Sequence, residues 1–165
     1  MKDTKITLIV EQLAASLLKD KKRLTVAESC TGGWIAKVLT DLAGSSVWFE
    51  RGFVTYSNEA KQEMLGVLAS TLESQGAVSE KVVAEMALGA LKNSYADISL
   101  SVSGIAGPGG GSDDKPVGLV WFAWCYKSGA DSNKLVAEQK IFKGNRDAVR
   151  EQAVEHALIG LSKVL

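Results

Sequence analysis

The spacing of apolar residues switches between helical and strand periods along the whole chain. Spacing of three to four residues predicts helices over 4–20, 32–42, 59–65, 67–75, 79–92 and 146–164. Short alternating or β-branched runs predict strands over 24–28, 51–56, 96–103, 117–126 and 134–142. The last two strands have no helix between them, so they should pair as an antiparallel hairpin. We therefore predict one domain over residues 1–165, a three-layer α/β/α sandwich with a mixed sheet.

The segment around Ser29 has the pattern of a strand, a tight turn and a helix. Residues 24–27 are the strand, Gly32 and Gly33 allow the turn, and helical spacing begins at Trp34. Such a turn lifts the side chain at its apex and points the first free N–H groups of the helix at a ligand. An exposed hydroxyl beside backbone donors suits a nucleophile that attacks a carbonyl. The alternative is that Ser29 or Thr31 only caps the helix.

Lys61 is the candidate base for such a nucleophile. It falls in the first turn of the short helix that we expect Asn58 to cap. The helix dipole and any burial both disfavour the charged ammonium, so both should lower the pKa of Lys61 from about 10.4. A lysine that loses its proton easily can act as a general base. The alternative is an ordinary solvated surface lysine.

A second glycine-rich stretch, residues 103–116, follows the predicted strand 96–103. In open α/β sheets ligands bind beyond the carboxyl ends of the strands, and glycine lets backbone amides approach a phosphate or a carboxamide. An exposed flexible loop has the same composition. Asp113 and Asp114 lie in this stretch without further clustered ligands, so we expect a solvated loop and predict no metal site.

Composition narrows the classes of partner. The charges of nineteen basic and nineteen acidic residues cancel, so the net charge gives no indication of binding to nucleic acid or to an anionic membrane. Cys30 and Cys125 lie far apart, no targeting segment is recognised, and no apolar run reaches the roughly 20 residues of a membrane span. We expect a soluble cytoplasmic protein with small-molecule or subunit partners. The spacing places the only histidine, His156, on the apolar inner face of the last helix, so we expect it to have a structural role. The base for Ser29 should therefore be a different residue.

Several motifs, in the same order, resemble the C-terminal domain family of CinA, the competence/damage-inducible protein. They are AESCTGG at 27–33, GFVTYSNEAK at 52–61, GAVS at 76–79, SGIAGP at 103–108, KPVG at 115–118 and GNRD at 144–147. The match is closest to stand-alone members that act as nicotinamide-nucleotide amidohydrolases. The resemblance implies hydrolysis of the carboxamide of nicotinamide mononucleotide (NMN) to nicotinic acid mononucleotide and ammonia, within pyridine-nucleotide recycling. No cofactor is expected.

The resemblance also implies a serine–lysine arrangement with a nearby tyrosine, and these roles fall on Ser29, Lys61 and Tyr56. Cys30, which is adjacent to Ser29, is a rival nucleophile. Either glycine-rich stretch has backbone N–H groups for the oxyanion, and the other stretch or Arg146 is available for the 5′-phosphate. The expected substrate-binding residues are Cys30, Thr31, Gly32, Gly33, Ser103, Gly104, Ala106, Gly107 and Arg146.

Three further questions stay open at this point. The substrate could be some other amide, because loop geometry determines which substrate is accepted. A non-catalytic module that senses a nucleotide and signals to a protein partner would also use glycine-rich loops, but it would not require Ser29, Lys61 and Tyr56 to converge. The subunit number is likewise undetermined. We favour a homodimer, because an exposed apolar face such as one carrying Trp48 and Phe49 would be buried by a second copy.

Overall fold

The structure is a computed structural model, and it describes residues 4–165. Its centre is a five-stranded mixed sheet. The strands are β1 (Leu24–Glu28), β2 (Phe49–Val54), β3 (Ile98–Gly104), β4 (Leu119–Lys127) and β5 (Asn133–Ile141). They lie in the order β2-β1-β3-β4-β5; β1 is parallel to both β2 and β3, whereas β3, β4 and β5 are antiparallel neighbours. The predicted hairpin of the last two strands is confirmed.

Helices cover both faces of the sheet. They are α1 (Thr4–Lys19), α2 (Trp34–Thr40), α3 (Asn58–Leu65), α4 (Ala69–Gln75), α5 (Glu80–Lys92) and α6 (Arg146–Val164), and a short 3-10 helix spans Ser45–Val47. One hydrophobic core joins the sheet to α1, α2 and α6, and a second joins it to α3, α4 and α5. This is the α/β/α sandwich that the periodicity predicted. Among residues 4–165, no helix is long and apolar enough to cross a membrane.

The alternation in β3 has a clear packing explanation. Its apolar residues, such as Leu100, belong to the core under α1 and α6. Its alternate residues Ser99 and Ser101 are also buried, and their hydroxyls donate to α5 at the carbonyls of Ala87 (2.7 Å) and Val83 (2.6 Å). Because both hydroxyls have acceptors, the strand can be buried on both faces without unsatisfied polar groups.

Side-chain oxygens cap the starts of α3, α5 and α6. Ser79 accepts a hydrogen bond from the Val82 N–H, and Asn145 starts α6 in the same way. The prediction that Asn58 caps α3 is wrong by one residue: Ser57 is the cap and accepts from the Ala60 N–H at 3.0 Å. A serine hydroxyl in the extended conformation is as good a cap as asparagine, so the sequence alone did not separate them.

The structure places Trp48 in the core and His156 at the boundary of the core. Trp48 is only 1% exposed and belongs to the core, so the expectation that it forms an exposed apolar face is wrong. His156 has its ring 4.9 Å from that of Phe122 and 5.9 Å from that of Phe142, and its Nε2 contacts the Glu138 carboxylate. It is therefore a boundary residue of the core, as predicted.

Candidate active site

The parallel half of the sheet brings three chain segments together. Because β1, β2 and β3 run in the same direction, their carboxyl ends meet at one edge. Ser29 directly follows β1, Thr55 directly follows β2, and Gly104 ends β3. The register continues beyond the strands, since the Thr55 N–H donates to the Glu28 carbonyl and the Ser29 N–H donates to the Val102 carbonyl. Backbone hydrogen bonds therefore fix the positions of the residues that follow β1 and β2 at this edge.

Ser29 and Lys61 meet at this edge. The Nζ atom of Lys61 lies 3.0 Å from the Oγ atom of Ser29 and 2.9 Å from the carbonyl oxygen of Thr55. Lys61 reaches the site from α3, whose first turn follows the end of β2. The spacing is hydrogen-bond distance, so a proton can pass between the two side chains. Neither Ser29 nor Thr31 caps α2, because the cap position is Gly33.

Burial sets the protonation behaviour of Lys61. Its side chain is 1% exposed, and it takes part in none of the ion pairs found within residues 4–165. Desolvation disfavours the charged ammonium and lowers the pKa of Lys61 below its ordinary value of 10.5. The direction that we predicted is therefore found, with burial as its main cause. A lysine whose pKa is lowered by burial loses its proton more easily, and beside a hydroxyl such an amine is suited to general-base chemistry.

Glu28 occupies the N-terminus of α2. Its Oε2 atom accepts hydrogen bonds from the Thr31 hydroxyl (2.5 Å) and from the N–H groups of Gly33 and Ile35 (both 3.1 Å), and its Oε1 atom accepts from the Ala36 N–H (2.9 Å). The carboxylate is 1% exposed. The expectation that these helix N–H groups point at a ligand is wrong, because an internal carboxylate already satisfies them. Glu28 instead fixes the turn that follows Ser29.

The turn itself depends on its two glycines. Gly32 and Gly33 have φ angles of +60° and +96°, which side chains with a Cβ rarely adopt. Thr31 is fully buried beneath them. These three residues do not line the cavity at Ser29. Their role in the structure is to shape the turn, which differs from the substrate contact that we expected.

A cavity of about 250 Å³ opens beside Ser29. It is lined by residues from all three strand ends, from α3 and α6, and from the connection between α4 and α5: Ser29, Cys30, Tyr56, Asn58, Lys61, Ala77, Val78, Ser103, Gly104, Ala106 and Arg146. Most of the predicted site residues are in this set. Asn58, Ala77 and Val78 were missed, although the motif at 76–79 was a signal for the last two. The buried Ser103 hydroxyl donates to the Ala77 carbonyl at 2.9 Å, which ties the two lining segments together.

Tyr56 and Arg146 form the outer rim of this cavity. The Arg146 guanidinium donates to the Tyr56 hydroxyl at 2.9 Å and to the Gly107 carbonyl at 2.8 Å. Gly107 contacts the rim only through this carbonyl and does not line the cavity. Within residues 4–165, Tyr56 makes no hydrogen bond to Ser29 or Lys61, and no carboxylate pairs with Arg146. The rim therefore presents an exposed cation whose charge is not neutralised by the described part of the chain.

Cys30 lines the cavity but is poorly suited to be the nucleophile. Burial raises the pKa of its thiol to about 11. The thiolate is the reactive form of cysteine, so at neutral pH this side chain is a neutral thiol. The electrostatics favour Ser29 over Cys30.

Arg150 is a residue of the site that sequence reasoning missed. Its Nε atom donates to the Cys30 carbonyl at 3.1 Å, and its Nη2 atom donates to the Thr31 carbonyl at 3.2 Å. The available signal was its spacing: it lies four residues after Arg146 and hence on the same side of α6.

A larger cavity, of about 550 Å³, lies between α1, α2 and α6. Its walls are mixed: five of the ten lining residues are apolar, Ile6, Val10 and Trp34 among them, and the other five are polar or charged. It contains neither Ser29 nor Lys61. The smaller cavity is the candidate active site because it alone of these two combines a hydroxyl, a buried amine and a free cation.

Comparison with known proteins identifies the family of the chain. The profile of the family described as the CinA C-terminal domain matches residues 6–165. The chain belongs to the CinA C-terminal domain family. This confirms the resemblance seen in the motifs, and it covers nearly the whole of the chain.

Named relatives and a solved structure extend the comparison. Nicotinamide-nucleotide amidohydrolase PncC of Escherichia coli K12 is 56% identical over 158 residues, which are 96% of this chain and 93% of that protein. The PncC protein of Pseudomonas putida is 47% identical over 156 residues, 94% of each chain. The crystal structure of the competence/damage inducible protein CihA from Agrobacterium tumefaciens superposes with a TM-score of 0.94 at 40% identity, covering 99% of this chain and 98% of that one.

Proposed function

We propose that this protein is a nicotinamide-nucleotide amidohydrolase, which converts NMN and water to nicotinic acid mononucleotide and ammonia. The observation that carries the proposal is the 3.0 Å contact between the buried Lys61 amine and the Ser29 hydroxyl. The relatives named PncC, at 47–56% identity, support the choice of substrate. A non-catalytic nucleotide sensor would have no need for a buried, unpaired lysine beside a serine, since such a lysine costs stability.

The first half of the reaction acylates Ser29. Neutral Lys61 takes the hydroxyl proton while Ser29 Oγ attacks the carboxamide carbon, and the carbonyl oxygen becomes an oxyanion. The ammonium of Lys61 then returns a proton to the departing nitrogen. The C–N bond breaks, ammonia leaves, and an ester joins Ser29 to the nicotinoyl group. Thr55 accepts a hydrogen bond from Lys61 throughout and so keeps the amine in line.

The second half hydrolyses the ester. Lys61, neutral again, takes a proton from water, and the resulting hydroxide attacks the ester carbon. Collapse of this second tetrahedral intermediate breaks the bond to Ser29 Oγ, which regains its proton from Lys61. The products are a carboxylate and free enzyme. Tyr56 lines the same cavity, and we assign it a role in orienting the substrate at the rim.

The rim supports one orientation of the substrate. The N-terminus of α2 is filled by Glu28, so it offers no site for a phosphate. Arg146 has no carboxylate partner within the described part of the chain and is exposed. A guanidinium binds phosphate through charge-assisted hydrogen bonds. We therefore assign the 5′-phosphate to Arg146 and the carboxamide to Ser29.

The test is ammonia release from NMN by the purified protein without added metal, with the Ser29→Ala variant as the control. We expect release by the intact protein and at least a thousandfold loss in the variant, on the order seen when a catalytic nucleophile is removed. Binding of NMN without ammonia release would support the sensor function instead. Absence of both binding and release would reject NMN as the substrate.

We also propose that the enzyme acts in pyridine-nucleotide recycling in the cytoplasm and assembles as a homodimer. Trp48 is in the core and is not part of a dimer surface. Sedimentation of the purified protein measures the subunit number directly, and a monomer at all concentrations would reject the dimer.

A further inference from the structure

Arg150 lies directly behind the turn that carries Ser29. Besides its bonds to the carbonyls of Cys30 and Thr31, its Cζ atom is 5.3 Å from the centre of the Trp34 ring. Among residues 4–165, the one carboxylate within 4.0 Å of its guanidinium is that of Asp147. The guanidinium is thus held in one orientation and directs its charge at the turn, because the two N–H bonds and the aromatic face fix its plane.

The hydrogen bonds beyond Arg150 run in series. The Thr31 carbonyl and the Gly32 N–H are opposite ends of one planar peptide group. The Gly32 N–H donates to the Ser29 carbonyl at 3.0 Å. That carbonyl is in turn the opposite end of the peptide group that contains the Cys30 N–H. The series therefore starts at a cation and ends at the N–H of the residue that follows the nucleophile.

The Cys30 N–H is available at the end of this series. Within residues 4–165 it donates to no other residue, and it interacts only with the thiol of Cys30 itself. Cys30 lines the cavity next to Ser29. A backbone N–H adjacent to an attacking serine is a suitable donor for the oxyanion that forms on the substrate.

We propose that Arg150 is a positioning residue that orients and polarises the Cys30 N–H as an oxyanion donor. The inference rests on the proposed acyl transfer at Ser29. Hydrogen bonds in series strengthen one another, and a fixed cation behind them adds to the effect when negative charge develops at the far end. Arg150 does not line the cavity at Ser29, and it acts through two peptide groups.

The test compares Arg150→Met and Arg150→Lys with Lys163→Met, which removes a cation from an exposed position near the end of the same helix. For Arg150→Met we expect kcat to fall about ten- to a hundredfold, less than for the loss of a direct oxyanion donor. We expect KM for NMN to stay within about threefold, because the effect lies in the transition state. The kcat of Arg150→Lys should lie between those of the wild type and Arg150→Met, since an ammonium keeps the charge but cannot bridge both carbonyls. Lys163→Met should behave like the wild type.

The pH profile separates this role from an effect on the base. If Arg150 acts through the Cys30 N–H, its removal lowers the plateau of kcat and leaves the pH of the rising limb unchanged. A rising limb displaced to higher pH would show that Arg150 acts on Lys61, and it would overturn the inference. An unchanged kcat in Arg150→Met would also overturn it.

A second measurement does not depend on NMN. A fluorophosphonate phosphonylates an activated serine: the Ser29 Oγ–P bond forms, the P–F bond breaks, fluoride leaves and Lys61 takes the proton. The labelling rate at Ser29 should fall in Arg150→Met by about the same factor as kcat, and equal rates would overturn the inference. A wild-type protein that is labelled but inert toward NMN would reject the substrate, and the labelling rates would still decide the role of Arg150.

Loss of kcat through misfolding is distinguished from loss of positioning by a measurement of stability. Thermal unfolding is therefore measured on each variant. With Arg150→Ala, added methylguanidinium should restore part of kcat by occupying the vacated position. Rescue supports the positioning role, whereas a variant that is folded, impaired and not rescued by any guanidinium contradicts it.

Discussion

The Nζ atom of Lys61 lies 3.0 Å from the Oγ atom of Ser29, although 32 residues separate them in the chain. Each comes from a different strand end, and the parallel pairing of β1 with β2 is what brings them together. Since neither residue can be moved without shifting a strand or the start of α3, the contact is a property of the fold. It also predicts how activity and stability should respond to pH and to substitutions at the site.

Activity should rise with pH as Lys61 loses its proton. The pKa of Lys61 lies below 10.5 because burial disfavours the ammonium, so the rising limb of kcat/KM should have its midpoint below that value. Lys61→Arg should be inactive at every pH, because a guanidinium stays protonated. Ammonia release measured across the pH range checks both statements. An active arginine variant would remove Lys61 as the base.

Lys61→Met should be more stable than the wild type at neutral pH, as well as inactive. The unfolded chain binds the lysine proton more readily than the folded one, so the folded protein carries a penalty below the folded pKa of Lys61. The penalty fades as the pH rises toward 10.5. We expect the variant to melt a few degrees higher at pH 7 and the gain to shrink at pH 9.5. A lower melting temperature at pH 7 would contradict the desolvation argument.

Cys30→Ala should keep kcat within about threefold of the wild type. The thiol pKa of about 11 leaves almost no thiolate at neutral pH, and a direct role in attack is therefore not expected. Ammonia release with NMN is the measurement, and Ser29→Ala is the matched control. A dead Cys30→Ala beside an active Ser29→Ala would reverse the assignment of the nucleophile.

Glu28→Gln should weaken both folding and catalysis. The amide nitrogen of glutamine cannot accept a hydrogen bond, so some of the donors that Glu28 satisfies would be left unpaired in the interior. We expect a loss of about 1–3 kcal/mol in the free energy of unfolding and a slower acylation of Ser29. Denaturant unfolding and kcat measure these. Glu73→Gln is the same change at an exposed position, and it should alter neither the free energy of unfolding nor kcat.

Arg146→Met should raise KM for NMN by about tenfold or more, because it removes a charge-assisted hydrogen bond of about 1.5–3 kcal/mol. The same variant should scarcely alter KM for nicotinamide riboside, which has no phosphate. The comparison of the two substrates isolates the phosphate contact. Equal losses for both would mean that Arg146 supports the rim through Gly107 and Tyr56 and does not bind phosphate.

Periodicity was sufficient to predict most of the fold. Strand β1 was predicted at its observed bounds, and the other strands were predicted to within two residues at each end. The positions of Ser29 and Lys61 in the elements also followed from local signals, namely a glycine turn and a helix start. These features depend on residues close together in sequence, which is why pattern alone was informative.

The misses have a different physical origin. Glu28 ends a fully buried strand, and nothing local indicates that its carboxylate turns back to fill the start of α2. Arg150 acts across 120 residues on the Cys30 carbonyl. Trp48 was expected at the surface because its burial depends on the packing of α1 and α2 against the sheet. Each of these features depends on contacts between residues far apart in sequence and on where the side chains point in the folded protein. A single sequence does not reveal either.

The hairpin of β4 and β5 contributes no residue to the wall of the cavity at Ser29. Its turn, residues 128–132, is exposed. Exposed turns of this kind tolerate inserted sequence, since few buried contacts are lost. The chemistry thus depends on the parallel half of the sheet, and the turn at 128–132 is the natural place to attach a fluorescent reporter or a surface tether without disturbing catalysis.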